Sequence, residues 1–113
     1  MKNWTLRFRA VDKDNFDEVR NGTKAIETRA GTIKYQHIEV GDTLTFICEK
    51  NRLMKKVVKK FHWASIDTMV GEINFKKIMP SVESIDEMKK IYMSYPDYEN
   101  KIKEHGLLGF ELA

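Results

Sequence analysis

Short alternating segments at both ends of the chain constrain its fold most. Trp4, Leu6 and Phe8 alternate with Thr5, Arg7 and Arg9, and Leu108, Phe110 and Leu112 alternate with Gly109 and Glu111. A period of two marks a strand with one buried face. Thr43–Glu49 repeats the pattern, with Leu44, Phe46 and Cys48 on one face and Thr43, Thr45 and Ile47 on the other. Leu53–Trp63 is a longer run whose alternation is blurred by Lys55-Lys56 and Lys59-Lys60, which predicts a bent or bulged strand, partly at an edge. With a charged extended segment over 24–30, the expected strands are 4–9, 24–30, 43–49, 53–63 and 107–112. Strands this short make a poor flat sheet with one wet face, and closing them into a small barrel removes the edges. The expected fold class is α+β, a small mixed barrel of five to six strands with short helices packed outside.

The helices carry their own punctuation. Asp14 is a candidate N-cap for a short helix bearing Phe16 and Val19, with Asp17 and Glu18 early in it and Asn21-Gly22 closing it. Residues 31–42 read as a loop ending in the turn signal Gly41-Asp42. Ser65 caps a helix that runs to Glu72, and Ile73–Met79 adds a turn stopped by Pro80. Ser84-x-x-Glu87 has capping-box spacing ahead of the apolar stripe Ile85, Met88, Ile91 and Tyr92. Pro96 opens a last helix with Tyr98 and Ile102, ended by His105-Gly106.

The 113 residues make one domain, 1–113, and 42% hydrophobic content supports a core. One cysteine, Cys48, permits no internal disulfide and suits a reducing cytoplasm. No apolar run approaches the roughly 20 residues of a membrane span, and the alternation of Met1–Arg9 is unlike a signal peptide. The net charge of +3 permits nucleic-acid contact without demanding it. His37, His62 and His105 lack metal-ligand spacing, so neither a metal site nor a cofactor is expected. Cys48 and the methionines read as core filling.

The chemistry concentrates in Gly22-Thr23-Lys24-Ala25-Ile26-Glu27-Thr28-Arg29. On a strand, Glu27 and Arg29 share one face while Ile26 and Thr28 take the other, and Lys24 stands at its start. Facing a cleft, Lys24, Glu27 and Arg29 offer a polar ligand an acceptor and two sets of donors. Facing solvent, they would be an ion-pair ladder of little energetic worth. Tyr35, in the loop that follows, is a candidate to stack on a ligand. The basic run containing Lys55, Lys56, Lys59 and Lys60 reads either as a solvated edge or as a phosphate-binding stripe, and Trp63 either as core or as a base-stacking residue.

Gly22-x-Lys24-x-x-Glu27-x-Arg29, followed by Val40-Gly41-Asp42 and a hydrophobic strand, resembles the ASCH domain, the activating signal cointegrator homology family of PUA-like barrels. The resemblance extends over nearly the whole chain, including a helical segment with Tyr92 and Tyr95-Pro96 before the last strand. It implies a PUA-like barrel that binds RNA or a nucleotide-like ligand beside the motif. Some small members are amidohydrolases that remove the acetyl group of N4-acetylcytidine with a lysine, a threonine and a distal glutamate. Lys24 matches the lysine, Glu27 stands at the threonine position, and Glu72 is the candidate for the distal glutamate.

Three readings follow. The first is a module for RNA or a modified nucleoside, with Lys24, Glu27, Arg29 and Tyr35 at the ligand and the lysines of 55–60 with Trp63 on nucleic acid. The second is a metal-independent amidohydrolase using Lys24, Glu27 and Glu72. The third is a protein-interaction domain with an inert cleft.

Overall fold

The alternating segments become strands close to where the pattern puts them. The structure is a computed structural model and describes residues 1–113. Its strands are β1 (Asn3–Phe8), β2 (Ile26–Ala30), β3 (Thr43–Cys48), β4 (Asn51–Trp63) and β5 (Leu107–Leu112). Its helices are α1 (Lys13–Asn21), α2 (Ile33–Gln36), α3 (Ile66–Glu72), α4 (Ile85–Ser94) and α5 (Tyr98–His105), with 3-10 turns at Ala10–Asp12 and Phe75–Lys77. The loop expected over 31–42 thus contains one short helix. The caps at Ser65 and Ser84 form as expected, each side chain accepting from a backbone N–H three residues on.

The sheet runs in the order β1-β3-β4-β5-β2, with β1 and β3 parallel and every other neighbour antiparallel. It curls into a half-barrel. Of the expected barrel of five to six strands, five are present in one curled sheet, but no ladder joins β1 to β2, so both remain edges. The reason is local. On the open side of β2, Thr28 N–H donates to Glu27 Oε1 at 2.9 Å and Ala30 N–H to the Tyr98 hydroxyl at 3.4 Å. Side chains satisfy the donors that another strand would have taken.

The curl itself comes from β4. Its first half pairs with β3 and its second with β5, and the register slips between Val57 and Lys59, leaving Val58 as an extra residue. A one-residue slip exchanges the faces. Leu53 and Val57 therefore pack in the concavity, while Phe61 and Trp63 turn to the helices on the outside.

Two cores result. Inside the curl, Leu6, Leu44, Phe46, Cys48, Val57, Leu108 and Phe110 are closed over by Phe16 and Val19 of α1 and by Ile38. Outside it, Ile26, Ala30, Trp63 and Leu107 meet Met69, Met88, Tyr92 and Ile102 from α3, α4 and α5. β5 is buried on both sides, and Gly109 shows how tightly. A Cβ there would lie 2.6 Å from the Trp63 ring, so only glycine lets the indole lie across the strand.

Asp42 ties the start of the chain to this frame. Its carboxylate accepts from the N–H groups of Glu39 and Lys2 at 2.9 and 3.0 Å and from Trp4 Nε1 at 2.8 Å. These backbone bonds, with the indole after them, hold its carboxyl down at about 2. A depressed carboxylate pKa stabilises the fold above the unfolded value, near 3.9, and that contribution is lost as pH falls toward 2. Urea midpoints measured between pH 5 and pH 2 should fall for the native chain, and Asp42→Asn should flatten that part of the profile. Identical profiles would exclude the carboxylate as the source.

Candidate functional site

The unpaired gap between β1 and β2 holds a cleft of about 160 Å³. The two strand edges contribute Arg7 and Phe8 on one side and Lys24, Glu27, Thr28 and Arg29 on the other. Tyr92, Tyr95, Pro96 and Tyr98 close it from the helical segment, with Met79 beneath and Arg9, Asp12 and Asn15 at the mouth.

The charged strand is placed from both ends. Gly22, at φ 84°, ends α1, and Lys24 N–H donates to Glu18 O at 3.0 Å. Ala25 bonds to Lys77 O and to Leu112 N–H, which fixes the approach to β2. Lys24, Glu27 and Thr28 are then 4%, 2% and 6% exposed. Lys24 Nζ lies 3.6 Å from Glu27 Oε1 and Arg29 Nη2 3.8 Å from Glu27 Oε2, so one carboxylate sits between two cations. Both separations exceed a hydrogen bond. Glu27 Oε2 is buried and has no hydrogen-bond partner. A buried acceptor left without a hydrogen bond is costly.

Arg29 is flanked by rings, with Phe8 at 5.2 Å and Tyr35 at 5.7 Å from the guanidinium carbon. Burial works against its charge, but Glu27, Tyr35 and Tyr98 outweigh that, and its pKa is held above the ordinary value. The three tyrosines of the helical segment form an aromatic wall. Tyr95 and Tyr98 meet edge-to-face at 5.1 Å, and Tyr92 lies parallel to Tyr98 at 6.5 Å. Burial pushes Tyr92 and Tyr98 upward and Tyr95 to about 12. All three therefore keep their hydroxyl protons at neutral pH and can donate. The Tyr92 hydroxyl is bonded to Thr28 Oγ1.

The expected site residues divide. Lys24, Glu27 and Arg29 converge on one concave cleft, and Tyr35 braces Arg29 from outside its lining. Thr28 lies on the opposite face from Glu27, as alternation requires, yet lines the same cleft because it wraps around an edge strand. Glu72 does not join them. It is exposed on α3 and accepts from Trp63 Nε1, drawn there by the need of a buried indole for a partner. Trp63 is 3% exposed under the helices and offers no face to a base. The four lysines are no single stripe. The bulge sends Lys56 and Lys59 to the outer face, while Lys55 and Lys60 stand opposite the inward-facing Leu44 and Phe110. Lys60 is already engaged, donating to Gln36 O at 2.8 Å with Glu39 at 3.6 Å.

Arg7, Arg9 and Tyr98 line the cleft although the pattern marks none of them as a site residue, and Tyr92 and Tyr95 enter the sequence reading through the apolar stripe and the family resemblance alone. The tyrosines recur every third residue, and with the helix break at Tyr95-Pro96 that spacing is the signal for one shared wall.

A curled α+β half-barrel with a buried Lys–Glu–Arg cluster at its open seam is thus the class that fold and site define. No protein-family model matches the chain, and no curated protein matches it. Two solved structures share the architecture. The crystal structure of hypothetical protein PH0355 has 28% sequence identity and a TM-score of 0.85, covering 99% of this chain and 97% of that one. The solution NMR structure of protein PF0455 from Pyrococcus furiosus has 25% identity and a TM-score of 0.75, covering 99% and 96%.

The cluster predicts an asymmetry in stability. Glu27→Gln leaves two buried cations facing each other and should cost about 3 kcal/mol. Lys24→Met still leaves the Glu27–Arg29 pair and should cost clearly less. Urea denaturation of the two variants measures this, and equal losses would show that the carboxylate does not hold the cluster together.

Proposed function

We propose that the seam cleft binds the hydrogen-bonding edge of a nucleoside-like base, free or splayed out of an RNA strand. The observation that carries this is Glu27 Oε2, a buried acceptor that receives no hydrogen bond, with Arg29 Nη2 at 3.8 Å and the Lys24 ammonium 3.6 Å from the other oxygen of the same carboxylate. The complement to such a pair is a donor next to an acceptor on one rigid edge. Nucleobases carry that arrangement on their Watson–Crick edges. The tyrosine wall and the Arg29 guanidinium supply flat surfaces for the ring. The ASCH resemblance of Gly22, Lys24, Glu27 and Arg29, and the PUA-like barrel it implies, support the same reading.

Calorimetric titration with cytidine, uridine, adenosine, guanosine and N4-acetylcytidine tests it. At least one should bind, and Lys24→Met should weaken it by about tenfold, the worth of one hydrogen bond to a charged group. A folded protein that binds none of them, or binds without regard to Lys24, would remove this reading.

One observation favours a second activity. Thr28 lines the same cleft as Lys24, its hydroxyl bonded to Tyr92, so an amidohydrolase on N4-acylated cytidine would draw on a threonine and an amine at one site. Glu72 stands elsewhere, and the carboxylates lining the cleft are Glu27 and Asp12. The expected outcome with N4-acetylcytidine is therefore absent or very slow release of cytidine by chromatography, abolished by Lys24→Ala. Robust turnover that survives Lys24→Ala would overturn both the slow rate and the role of Lys24.

A further inference from the structure

The cleft is unevenly charged. Arg7, Arg9, Lys24 and Arg29 stand against Asp12 and Glu27, a surplus of two positive charges. Within the interior, Lys24 and Arg29 share the single carboxylate of Glu27. At the mouth, Arg9 lies over the Tyr95 ring at 5.5 Å and meets Asp12 at 2.7 Å. Arg7 is exposed and forms no salt bridge. Arg7 and Arg9 are two residues apart on extended backbone, so both project from the same side of the β1 edge.

The adjoining groove has the other sign. A broader groove of about 700 Å³ runs on from the mouth, sharing Asp12 and Tyr95 with the cleft and adding Asp14, Asp17 and Glu18 from α1. An anionic group attached to a cleft-bound base is thus drawn toward β1 and repelled from α1.

We propose that Arg7 and Arg9 form a phosphate subsite at the rim, so that the ligand is a nucleoside monophosphate unit rather than a bare nucleoside. This rests on the base reading of the cleft. Base edge and phosphate are then held on the two facing strands, the base by β2 and its approach, the phosphate by β1. The lysines of β4 take no part, because β4 lies two strands from either edge of the sheet. The unit can come from a free nucleotide or from one link of single-stranded RNA, and either has the same chemistry at the rim.

The experiment compares cytidine, uridine, adenosine and guanosine with their 5′- and 3′-monophosphates, and with trinucleotides of the best base, by calorimetry at several salt concentrations. For the base that binds, a monophosphate should bind about fivefold tighter than its nucleoside at low salt, the upper range for an exposed ion pair. Arg7→Gln should bring that ratio toward one, and Lys56→Gln with Lys59→Gln should leave it unchanged. Trinucleotide affinity should fall with log salt at a slope of about −0.7 to −1.4, for one or two phosphates. A trinucleotide that binds at least as well as the mononucleotide identifies an RNA strand as the source, and one that is excluded identifies a free nucleotide; both keep the subsite. Nucleosides that bind with no gain from phosphate, or a gain that survives Arg7→Gln or is lost in the lysine variant, overturn the subsite and leave the base reading standing. If neither nucleosides nor nucleotides bind, the base reading falls and the subsite with it.

Discussion

An unpaired seam between two strand edges governs this molecule. Edge strands expose backbone donors and acceptors that must find partners. Here the partners are side chains. Glu27 accepts from Thr28 N–H with one carboxylate oxygen, and the Tyr98 hydroxyl stands by Ala30 N–H. Across the gap, Arg29 Nη1 reaches the Arg7 carbonyl at 3.5 Å, a long contact that bridges without closing a ladder. Polar groups that would otherwise point at solvent are thereby drawn under cover, and the space between the edges becomes a lined cleft rather than a groove of bare backbone.

Cover changes the electrostatics of the same residues. On an open strand, Lys24, Glu27 and Arg29 would be worth little to each other. Enclosed by Phe8, Tyr35 and the three tyrosines, they form one anion between two cations, with one carboxylate oxygen unpaired. Breaking a buried charge group by removing one member is costly, so the cluster is held as a unit. Its missing hydrogen bond and surplus charge belong to the same design.

The helical segment between β4 and β5 builds the far wall. α4 presents Tyr92, fully buried and bonded to Thr28, and the break before α5 turns Tyr95 and Tyr98 onto the same opening. Asp97, at φ 58°, sits at that break in a conformation uncommon for a side-chain-bearing residue. A continuous helix would rotate successive side chains by about 100° each, and the kinked junction is what gathers three rings at one place.

Much of this was legible in the residues alone. Period-two alternation located the strands, Ser65 and Ser84 located their helices, and Asn21-Gly22 placed the start of the charged segment, because all of these depend on local backbone geometry. Lys24, Glu27 and Arg29 were legible as a candidate site for the same reason, as charges crowded into six positions at the start of one short strand. What alternation could not supply was the partner of each edge. Only the tertiary structure decided that β1 and β2 face each other unpaired, that Thr28 shares a cleft with Glu27 from the opposite face, and that the bulge at Val58 divides the lysines between two faces. It also decided that Trp63 belongs to the core and takes Glu72 as its partner. Those outcomes turn on contacts between segments far apart in the chain, where burial and hydrogen-bond satisfaction choose among arrangements that local pattern leaves equal.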